Sequence, residues 1–347
     1  VTDQYNNVVA NVPVTFNAPS SGPSATFNGN NTVLSNAQGI ATSPSLTATT
    51  TAGSFVITVS TPGVVAVSIQ LASSPAAPSQ VTIYNNPTTS AVVGTQFSQL
   101  SVIVKDQYDN SIADVEVTFT APATSPSGVF RDSNTAKFTA VTGSNGVASS
   151  SLFIANTLSG NYEVIAAVNG VAVSASFLMT NMPDAATVML ISSGDGQSTI
   201  AGAQFIQPLY VLVQDKYNNP VPGSAVVFAI HGASGSVFAG GLSTVTVSTA
   251  LTGHASSPLI TAGTTTGTFS VVANATGVSS VSFSLSITAP PTAPVAEPVA
   301  VEPVAEPVGI TPTPVNTPAN AGTVSSSVTI TVNSVAVLVV TLLSICI

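Results

Sequence analysis

Short runs in which apolar and polar residues alternate recur along most of the chain. Three of them lie at residues 55–59 (FVITV), 162–166 (YEVIA) and 269–273 (FSVVA), and each is rich in β-branched or aromatic residues. An alternation with a period of two is typical of a β-strand that buries one face. No window shows an apolar stripe with the 3.6-residue period of a helix, and turn dipeptides such as Asn-Gly at 145–146 separate the runs. The pattern predicts an all-β fold of antiparallel strands.

One unit of the sequence occurs three times. The motif Asp-x-Tyr-x-Asn lies at residues 3–7, 106–110 and 215–219, so that the copies begin 103 and 109 residues apart. This period fits one β-sandwich of roughly 100 residues. Three later glycines keep the same spacings, 14 and then 10 residues, in every copy. These glycines are Gly39, Gly53 and Gly63, then Gly146, Gly160 and Gly170, then Gly253, Gly267 and Gly277.

Proline-rich segments divide the chain into tandem β-sandwich domains, a linker and a tail. The predicted spans are 1–77 (repeat 1), 78–183 (repeat 2), 184–290 (repeat 3), 291–322 (Pro-rich linker) and 323–347 (spacer and hydrophobic tail). Proline at the density of the linker favours an extended polyproline II spacer. Repeat 1 lacks the first strand that residues 80–84 supply in repeat 2, and we interpret it as truncated at its N-terminal side.

Charge and cysteine content exclude several classes of protein. The chain has 4 Lys and Arg against 13 Asp and Glu, a net charge of −9, and four cations cannot neutralise a run of phosphates, so we expect no nucleic-acid partner. The single cysteine, Cys346, excludes an internal disulfide and a zinc site of the cysteine type. A hydrophobic content of 44% is the opposite of the composition of disordered chains.

The repeat resembles the bacterial immunoglobulin-like group 1 (Big-1) domains of the intimin and invasin surface proteins. The residues that carry the resemblance are Asp-x-Tyr-x-Asn, then Val-Thr-Phe, then Asn/Gln-Gly-(Val/Ile)-Ala and Gly-x-(Phe/Tyr)-x-Val, and the pattern covers residues 1–290. The resemblance implies stacked sandwiches that hold a binding surface away from a cell. It also implies a surface receptor, glycan or matrix as the partner, and no catalysis.

The C-terminal residues predict attachment to a membrane. Small residues near Asn320 precede a polar stretch at 323–334 and an apolar stretch at 335–347, which is the order of a glycosylphosphatidylinositol (GPI) signal. Asn320 and Ser325 are the candidate attachment residues. A retained membrane helix over 328–347 is the alternative, because a helix of twenty residues is just long enough to span a bilayer.

The acidic motif residues are candidates for calcium ligands. Asp3, Asp106 with Asp109, and Asp215 offer carboxylate oxygens in a turn. Calcium takes six to eight oxygens, and each copy offers two or three. Asp and Asn also form turns through their own side chains, which explains the same residues without a metal. We therefore expect no metal and no cofactor.

The two histidines give the chain its candidate for nucleophilic catalysis. His231 and His254 lie in repeat 3, where a Ser-His-Asp arrangement with Asp195 or Asp215 is formally available. No nucleophile-elbow motif is present, and Glu163 has no carboxylate at a matching position for glycoside hydrolysis. We expect a protein that is not an enzyme.

Most aromatic residues recur at the same repeat positions, as Phe16, Phe119 and Phe228 do, and we expect such Phe and Tyr residues to pack in cores. Tyr84, Tyr210 and Phe153 do not recur cleanly, and they are the candidate contacts for a ligand.

Glycosylation is a further prediction from the sequence. Asn30 and Asn274 begin Asn-x-Thr sequons and are candidate glycosylation sites of an exported protein.

Taken together, these features predict a cell-surface stalk or adhesin-type protein, extracellular and anchored to a membrane, that presents or forms an adhesion surface. Two alternatives remain open, a carbohydrate- or receptor-binding module and an accessory repeat region of a larger surface enzyme.

Overall fold

The computed structural model describes residues 1–85, 87–232 and 235–292, and in this part of the chain every regular element is a β-strand. The predicted all-β, immunoglobulin-like fold class is confirmed. No helix among these residues has the length and apolarity needed to cross a bilayer. The predicted linker beyond residue 292 and the tail at 323–347 lie outside the described residues.

Repeat 1 contains six strands in two sheets. Its strands are β1 (Pro13–Asn17), β2 (Ala25–Phe27), β3 (Thr32–Leu34), β4 (Leu46–Ala48), β5 (Gly53–Ser60) and β6 (Val67–Ser73). The larger sheet has the order β3-β1-β5-β6, and the smaller one pairs β2 with β4. All of these pairs are antiparallel.

Repeat 2 contains eleven strands in three sheets. Its strands are β7 (Gln80–Ile83), β8 (Ser90–Val92), β9 (Gln96–Phe97), β10 (Ser101–Lys105), β11 (Glu116–Thr120), β12 (Gly128–Phe130), β13 (Lys137–Val141), β14 (Val147–Ser149), β15 (Phe153–Ala155), β16 (Gly160–Val168) and β17 (Ala175–Met182). The sheet orders are β13-β11-β16-β17-β8, β14-β10-β7 and β12-β15-β9. β8 runs parallel to β17, whereas the other pairs are antiparallel.

Repeat 3 has the same arrangement with one strand fewer. Its strands are β18 (Ala186–Ser193), β19 (Ser198–Ile200), β20 (Tyr210–Asp215), β21 (Ala225–His231), β22 (Val237–Phe238), β23 (Thr244–Ser248), β24 (His254–Ser256), β25 (Ile260–Thr261), β26 (Gly267–Ala275) and β27 (Val281–Thr288). The sheet orders are β19-β27-β26-β21-β23, β18-β20-β24 and β22-β25, and β19 is parallel to β27.

The three predicted period-two runs form the long strands β5, β16 and β26, and their alternation explains the burial. In β16 the side chains of Tyr162, Val164 and Ala166 are buried while Glu163 and Ile165 between them are exposed. This is the pattern of a strand with one face on a core, because successive side chains point to opposite faces. The sequence prediction of these strands is confirmed.

Each repeat has its own hydrophobic core. The clusters comprise buried residues between Val14 and Ile57, between Val81 and Met179, and between Met189 and Ile287. They fall within the predicted spans of repeats 1, 2 and 3, while the domain boundaries themselves stay a prediction. The recurring Phe16, Phe119 and Phe228 are buried, as expected, and dominate packing because a Phe buries a large apolar area.

Phe130 lies at the centre of the core of repeat 2. It is fully buried, and its ring centroid is 4.8 Å from that of Phe153, 5.7 Å from Phe138 and 6.3 Å from Phe119. We expect Phe130→Ala to destabilise repeat 2 by about 3–5 kcal/mol, since a large buried ring is replaced by a cavity. Hydrogen exchange of the β11 and β16 amides measures this change.

Ile165→Ala is the control for this prediction, because Ile165 lies in β16 of the same repeat but is 42% exposed. It should change the same exchange rates only slightly. Equal effects of the two substitutions would contradict the assignment of the core.

Candidate functional site: the joints between repeats

The Asp-x-Tyr-x-Asn motif forms one local turn. In repeat 2, Oδ1 of Asp106 accepts hydrogen bonds from the backbone N–H groups of Tyr108 and Asn110, both at 2.9 Å. The fourth residue, Asp109, has a left-handed backbone with φ = 67°. Asp and Asn tolerate that conformation better than other residues with a side chain, which explains why the position holds Asn or Asp in every copy.

The same turn occurs in the other two copies. In repeat 3, Oδ1 of Asp215 accepts from the N–H groups of Tyr217 and Asn219 at 2.8 and 2.9 Å. In repeat 1, Oδ1 of Asp3 accepts from Tyr5 and Asn7, both at 2.9 Å. The fourth positions, Asn218 and Asn6, are left-handed with φ of 65° and 63°.

The second carboxylate oxygen of the Asp fixes the segment that leads into the repeat. Oδ2 of Asp106 accepts from Nδ2 of Asn110 and from the backbone N–H of Ala76, each at 2.8 Å. Oδ2 of Asp215 likewise accepts from Nδ2 of Asn219 at 2.8 Å and from the backbone N–H of Asp184 at 2.9 Å. Both aspartates are completely buried, with 0% exposure.

The last residue of the motif contacts the preceding repeat. Oδ1 of Asn110 accepts from the backbone N–H of Ala52 at 2.9 Å, and its Nδ2 donates to the carbonyl of Thr50 at 2.8 Å. The primary amide thus binds the chain of repeat 1 as another peptide group would, with one donor and one acceptor.

The second joint has the same bonds. Oδ1 of Asn219 accepts from the backbone N–H of Ser159 at 2.9 Å, and its Nδ2 donates to the carbonyl of Thr157 at 2.8 Å. Because both joints use the same two atoms of the Asn and the equivalent loop of the preceding repeat, the contact is a repeated device of the chain. We call each set of bonds a joint: Asp106 and Asn110 with residues 50–52 and Ala76, and Asp215 and Asn219 with residues 157–159 and Asp184.

One of the invariant glycine positions packs under this turn. Gly146 has φ = +75°, and a Cβ there would lie 2.8 Å from Cβ of Ser111, just after the motif, and 3.0 Å from the carbonyl oxygen of Val104. Gly253 of repeat 3 is equally restricted, with Pro220 and Val213 as the neighbours. A side chain is excluded by both the backbone conformation and the contact, so the turn explains the first of the three recurring glycines.

Hydrogen bonding determines the ionisation of the joint aspartates. Burial raises the pKa of Asp106, but the hydrogen bonds from the Asn110 side chain and from the N–H groups of Ala76, Asn110 and Tyr108 outweigh it and lower the pKa to about 2. The pKa of Asp215 is also lowered, with the same opposing effects of burial and of the bonds from Asn219, Asp184 and Tyr217. A carboxylate that accepts several N–H bonds is stabilised in its charged form.

These bonds also bear on the choice between a turn and a calcium site. Four N–H donors occupy each joint carboxylate, and Asp3 accepts a bond on both oxygens, Oδ2 receiving Nδ2 of Asn7 at 3.0 Å. Among the described residues no three His, Cys, Asp or Glu side chains are grouped as a metal site would need. The geometry favours the turn interpretation of Asp3, Asp106 with Asp109, and Asp215.

Among the described residues, neither histidine forms a hydrogen bond or an ion pair with Asp195 or Asp215. His231 ends β21 opposite Ser270, whereas His254 begins β24 in another sheet, with Nδ1 at 3.3 Å from Oγ1 of Thr252. The carboxylate of Asp215 accepts its bonds from the joint, and Oδ1 of Asp195 accepts from the N–H of Ser284 at 2.7 Å. The hydrogen bonds of these groups are explained by turns and strands.

The structure corrects one predicted ligand contact. Phe153 is completely buried, with ring centroids 4.8 Å from Phe130 and 5.9 Å from Phe97, so its proposed contact with a ligand is wrong. The equivalent positions hold Leu46 and Ile260. The position is apolar in every copy, but a different side chain occupies it each time. A search for recurring aromatic residues therefore does not detect it.

The other two candidate contacts remain accessible. Tyr84 is 57% exposed at the end of β7, and Tyr210 is half-buried at the start of β20. Their role as ligand contacts stays a prediction.

The tyrosines of the motif are a second correction. Tyr5 and Tyr108 are 74% and 50% exposed, and Tyr217 is half-buried with Nζ of Lys216 4.9 Å from its ring centroid. The expectation that recurring tyrosines pack in cores is wrong at this position. In the turn it is the backbone N–H of the tyrosine that is used, by the Asp, so its recurrence does not require a buried ring.

The modification sites are placed as follows. Asn30 and Asn274 are both exposed, and glycosylation at them stays a prediction. Asn320 and Ser325, the candidate GPI attachment residues, lie outside the described residues.

Neither the family models nor the curated proteins contain a match to this sequence. Among solved structures, the chain is similar to FdeC, an Escherichia coli adhesin, at 16% identity over 82% of this chain and 89% of that chain, with a TM-score of 0.45. It is similar to InvD of Yersinia pseudotuberculosis at 16% identity over 82% and 90%, with a TM-score of 0.44. It is also similar to invasin, a bacterial integrin-binding protein, at 18% identity over 84% and 56%, with a TM-score of 0.43. Because these values are low, we base the function of this chain on its own residues.

We expect Asn110→Ala to open the first joint. The N–H of Ala52 loses its acceptor, and a lost hydrogen bond of about 1 kcal/mol should speed its hydrogen exchange roughly five- to tenfold. Asn169→Ala, at an exposed turn of repeat 2, is the control and should leave Ala52 unchanged. Unaltered exchange at Ala52 in the Asn110 variant would contradict the joint.

The lowered pKa of Asp106 gives the joint a defined pH dependence. Its folded pKa of about 2 is below the ordinary value of 3.8, so its stabilising contribution is complete above about pH 4 and is lost as the pH falls towards 2. The thermal unfolding temperature, measured between pH 6 and pH 2, should therefore decrease less steeply on acidification in Asp106→Asn than in the wild type. Asp132→Asn, at an exposed aspartate, is the matched control, and an acid dependence in Asp106→Asn as steep as in the wild type would refute the assignment.

Proposed function

We propose that this chain is a non-catalytic cell-surface protein of the adhesin type, in which tandem immunoglobulin-like repeats form a stalk. The observation that carries the proposal is the joint. Asn110 and Asn219 bind the preceding repeat through the same atoms, and Asp106 and Asp215 hold the entering segment with the same oxygen.

A repeated joint is what a stalk requires. A flexible connection lets neighbouring domains reorient, which is the default for domains joined by a short linker. Here each connection has two Asn bonds to the preceding repeat and one bond from the entering segment to an Asp carboxylate. The bond to the carboxylate is charge-assisted and therefore stronger than a neutral one. In the described part of the chain the buried carboxylates are those of Asp106 and Asp215, and both help to order one repeat on the next.

The surface chemistry fits an extracellular role. Only 5% of the residues are charged, and Ser, Thr and Asn occupy much of the exposed strand surface. Such a surface has little electrostatic repulsion and suits glycan cover or close packing with a receptor, glycan or matrix partner. The Big-1 resemblance of residues 1–290 supports the same class of protein.

Membrane attachment completes the proposal. The order of small residues, polar stretch and apolar end in 320–347 supports a GPI signal, with Asn320 or Ser325 as the attachment residue.

The stalk is tested on intact cells that express the full chain. We expect protease added outside the cells to remove the repeats, and cells that display them to adhere to matrix- or glycan-coated surfaces more than cells that lack them. Protection of the repeats from added protease on intact cells would contradict a surface location.

The adhesion assay also tests whether the repeats themselves bind. Loss of adhesion in Tyr84→Ala, but not in Tyr108→Ala, would place a receptor- or carbohydrate-binding face on repeat 2, since the two tyrosines are exposed to a similar degree, 57% and 50%. Equal adhesion of the two variants and the wild type would contradict a binding face at Tyr84 and would indicate that repeat 2 acts as a spacer.

The anchor is tested separately. Phosphatidylinositol-specific phospholipase should release the protein. Mass spectrometry should then show that the released polypeptide ends at Asn320 or Ser325. Retention of residues 335–347 together with resistance to the lipase would contradict the GPI signal and favour a membrane helix over 328–347.

A further inference from the structure

The loop of repeat 2 that enters the second joint presents two peptide groups to repeat 3. The carbonyl of Thr157 accepts from Nδ2 of Asn219, and the N–H of Ser159 donates to Oδ1 of the same side chain, at 2.8 and 2.9 Å. Leu158 lies between these two residues and supplies the other half of each peptide group. Because a trans peptide group is planar, its N–H and its carbonyl point in opposite directions, so the groups of Leu158 point away from Asn219.

Two side chains of repeat 2 bind the groups of Leu158. Its N–H donates to Oδ1 of Asn156 at 3.1 Å, and its carbonyl accepts from Nδ2 of Asn181 at 3.0 Å. Nδ2 of Asn181 also donates to Oδ1 of Asn156 at 3.0 Å. Both peptide groups of the loop are therefore bonded to repeat 3 on one side and to repeat 2 on the other.

Asn181 is itself fixed in the core of repeat 2. It lies in β17 and is 1% exposed, its Nδ2 donates to the carbonyl of Ser127 at 2.9 Å, and its Oδ1 accepts from the hydroxyl of Tyr162 at 2.8 Å. A carbonyl can only accept, so the contacts with Ser127 and Leu158 determine the orientation of this amide. The ring of Tyr162 is buried, with its centroid 6.3 Å from that of Phe153. Burial raises the pKa of Tyr162, so its hydroxyl stays a proton donor.

The fold does not require this pair of polar residues. Strand register gives the equivalent pairs as Phe55 with Ser73 in repeat 1 and Phe269 with Ile287 in repeat 3. In repeat 1, Oγ of Ser73 donates to the carbonyl of Thr51 at 3.2 Å, and Thr51 has the position of Leu158 in its joint. The support of the first joint is thus a hydroxyl, whereas the support of the second joint continues into a core.

Hydrogen bonds that follow one another in this way strengthen each other. An amide that accepts at its oxygen becomes a better donor at its nitrogen, and the bonds are stronger where water is excluded. We call the bonds from the hydroxyl of Tyr162 through the amide of Asn181 and the 158–159 peptide group to Asn219 the Asn181 network. A bond in the core of repeat 2 therefore affects the strength of a bond to repeat 3.

We propose that the Asn181 network couples the second joint to the core of repeat 2, so that repeats 2 and 3 respond to load as one unit, and that Tyr162 is a positioning residue that acts through Asn181. A pull of repeat 3 on the loop then reaches β16 and β17 instead of stretching the loop alone. A role in bearing load rests on the stalk proposed above, whereas the bonds are tested on the purified full chain, so failure of the network and failure of the stalk give separate results.

Tyr162→Phe tests the network, because it removes a single oxygen and introduces the residue that repeats 1 and 3 have. We expect hydrogen exchange at the N–H of Ser159 and at Nδ2 of Asn219 to become roughly fivefold faster, as the loss of one hydrogen bond allows. The proton signal of the Ser159 N–H should also move upfield in the nuclear magnetic resonance spectrum, because its bond becomes weaker. The backbone N–H of Asn219 donates to Asp215 within repeat 3 and should not change.

Two further variants complete the test. Tyr210→Phe is the matched control, because Tyr210 is a half-buried strand tyrosine whose hydroxyl has no hydrogen bond with the described residues, and it should leave both signals unchanged. Asn181→Ser introduces the residue of the first joint and should accelerate exchange at Ser159 at least as much as Tyr162→Phe does. Unchanged far-ultraviolet circular dichroism establishes that the variants are folded.

Three results would overturn the proposal. The first is a Tyr162→Phe variant in which Ser159 and Nδ2 of Asn219 exchange as in the wild type. The second is an equal effect of Tyr210→Phe. The third is faster exchange in Tyr162→Phe without an upfield shift of the Ser159 proton, which would assign Tyr162 to the overall stability of repeat 2.

Discussion

The architecture depends on one buried carboxylate in each joint. A buried charge is tolerated when its oxygens are fully hydrogen-bonded, and the carboxylates of Asp106 and Asp215 each accept four N–H bonds. These bonds come from three places at once: the turn itself, the segment that enters the repeat and the Asn that contacts the preceding repeat. Loss of the carboxylate would leave donors unpaired in all three, so the turn, the linker and the joint are coupled.

The nearby constraints follow from that requirement. The left-handed fourth residue lets the chain return so that the N–H of the fifth residue reaches the same oxygen, as Asp109 does between Tyr108 and Asn110. The glycine beneath the turn, Gly146, has no room for a side chain. Asp109 and Gly146 are far apart in the sequence, but the same turn requires both of them.

Much of the fold could be predicted from the sequence, because strands with one buried face carry their own signal. The period-two runs of β5, β16 and β26 and the spacing of the glycines were sufficient for the fold class. The turn function of Asp106 was also foreseeable, since Asp is a common turn former. The joint was not, because its partners on the other side are backbone groups of Thr50, Ala52 and Ala76, which have no side-chain signature.

The errors have the same origin. Recurrence marked Tyr108 as a core residue, although the turn uses its backbone N–H and leaves its ring half exposed. Non-recurrence marked Phe153 as a ligand contact, although the position is apolar in every copy. The copies of a repeat share a physical role at each position. At Tyr108 that role is a backbone hydrogen bond, and at Phe153 it is the filling of apolar volume in the core.

The most direct test of the joint is a measurement of scalar couplings across its hydrogen bonds by nuclear magnetic resonance. The account predicts a coupling from the amide nitrogen of Ala52 to the side-chain carbonyl carbon of Asn110, and one from Ser159 to Asn219. Absence of both couplings, with the two amides exchanging as fast as those of an unstructured peptide, would contradict it.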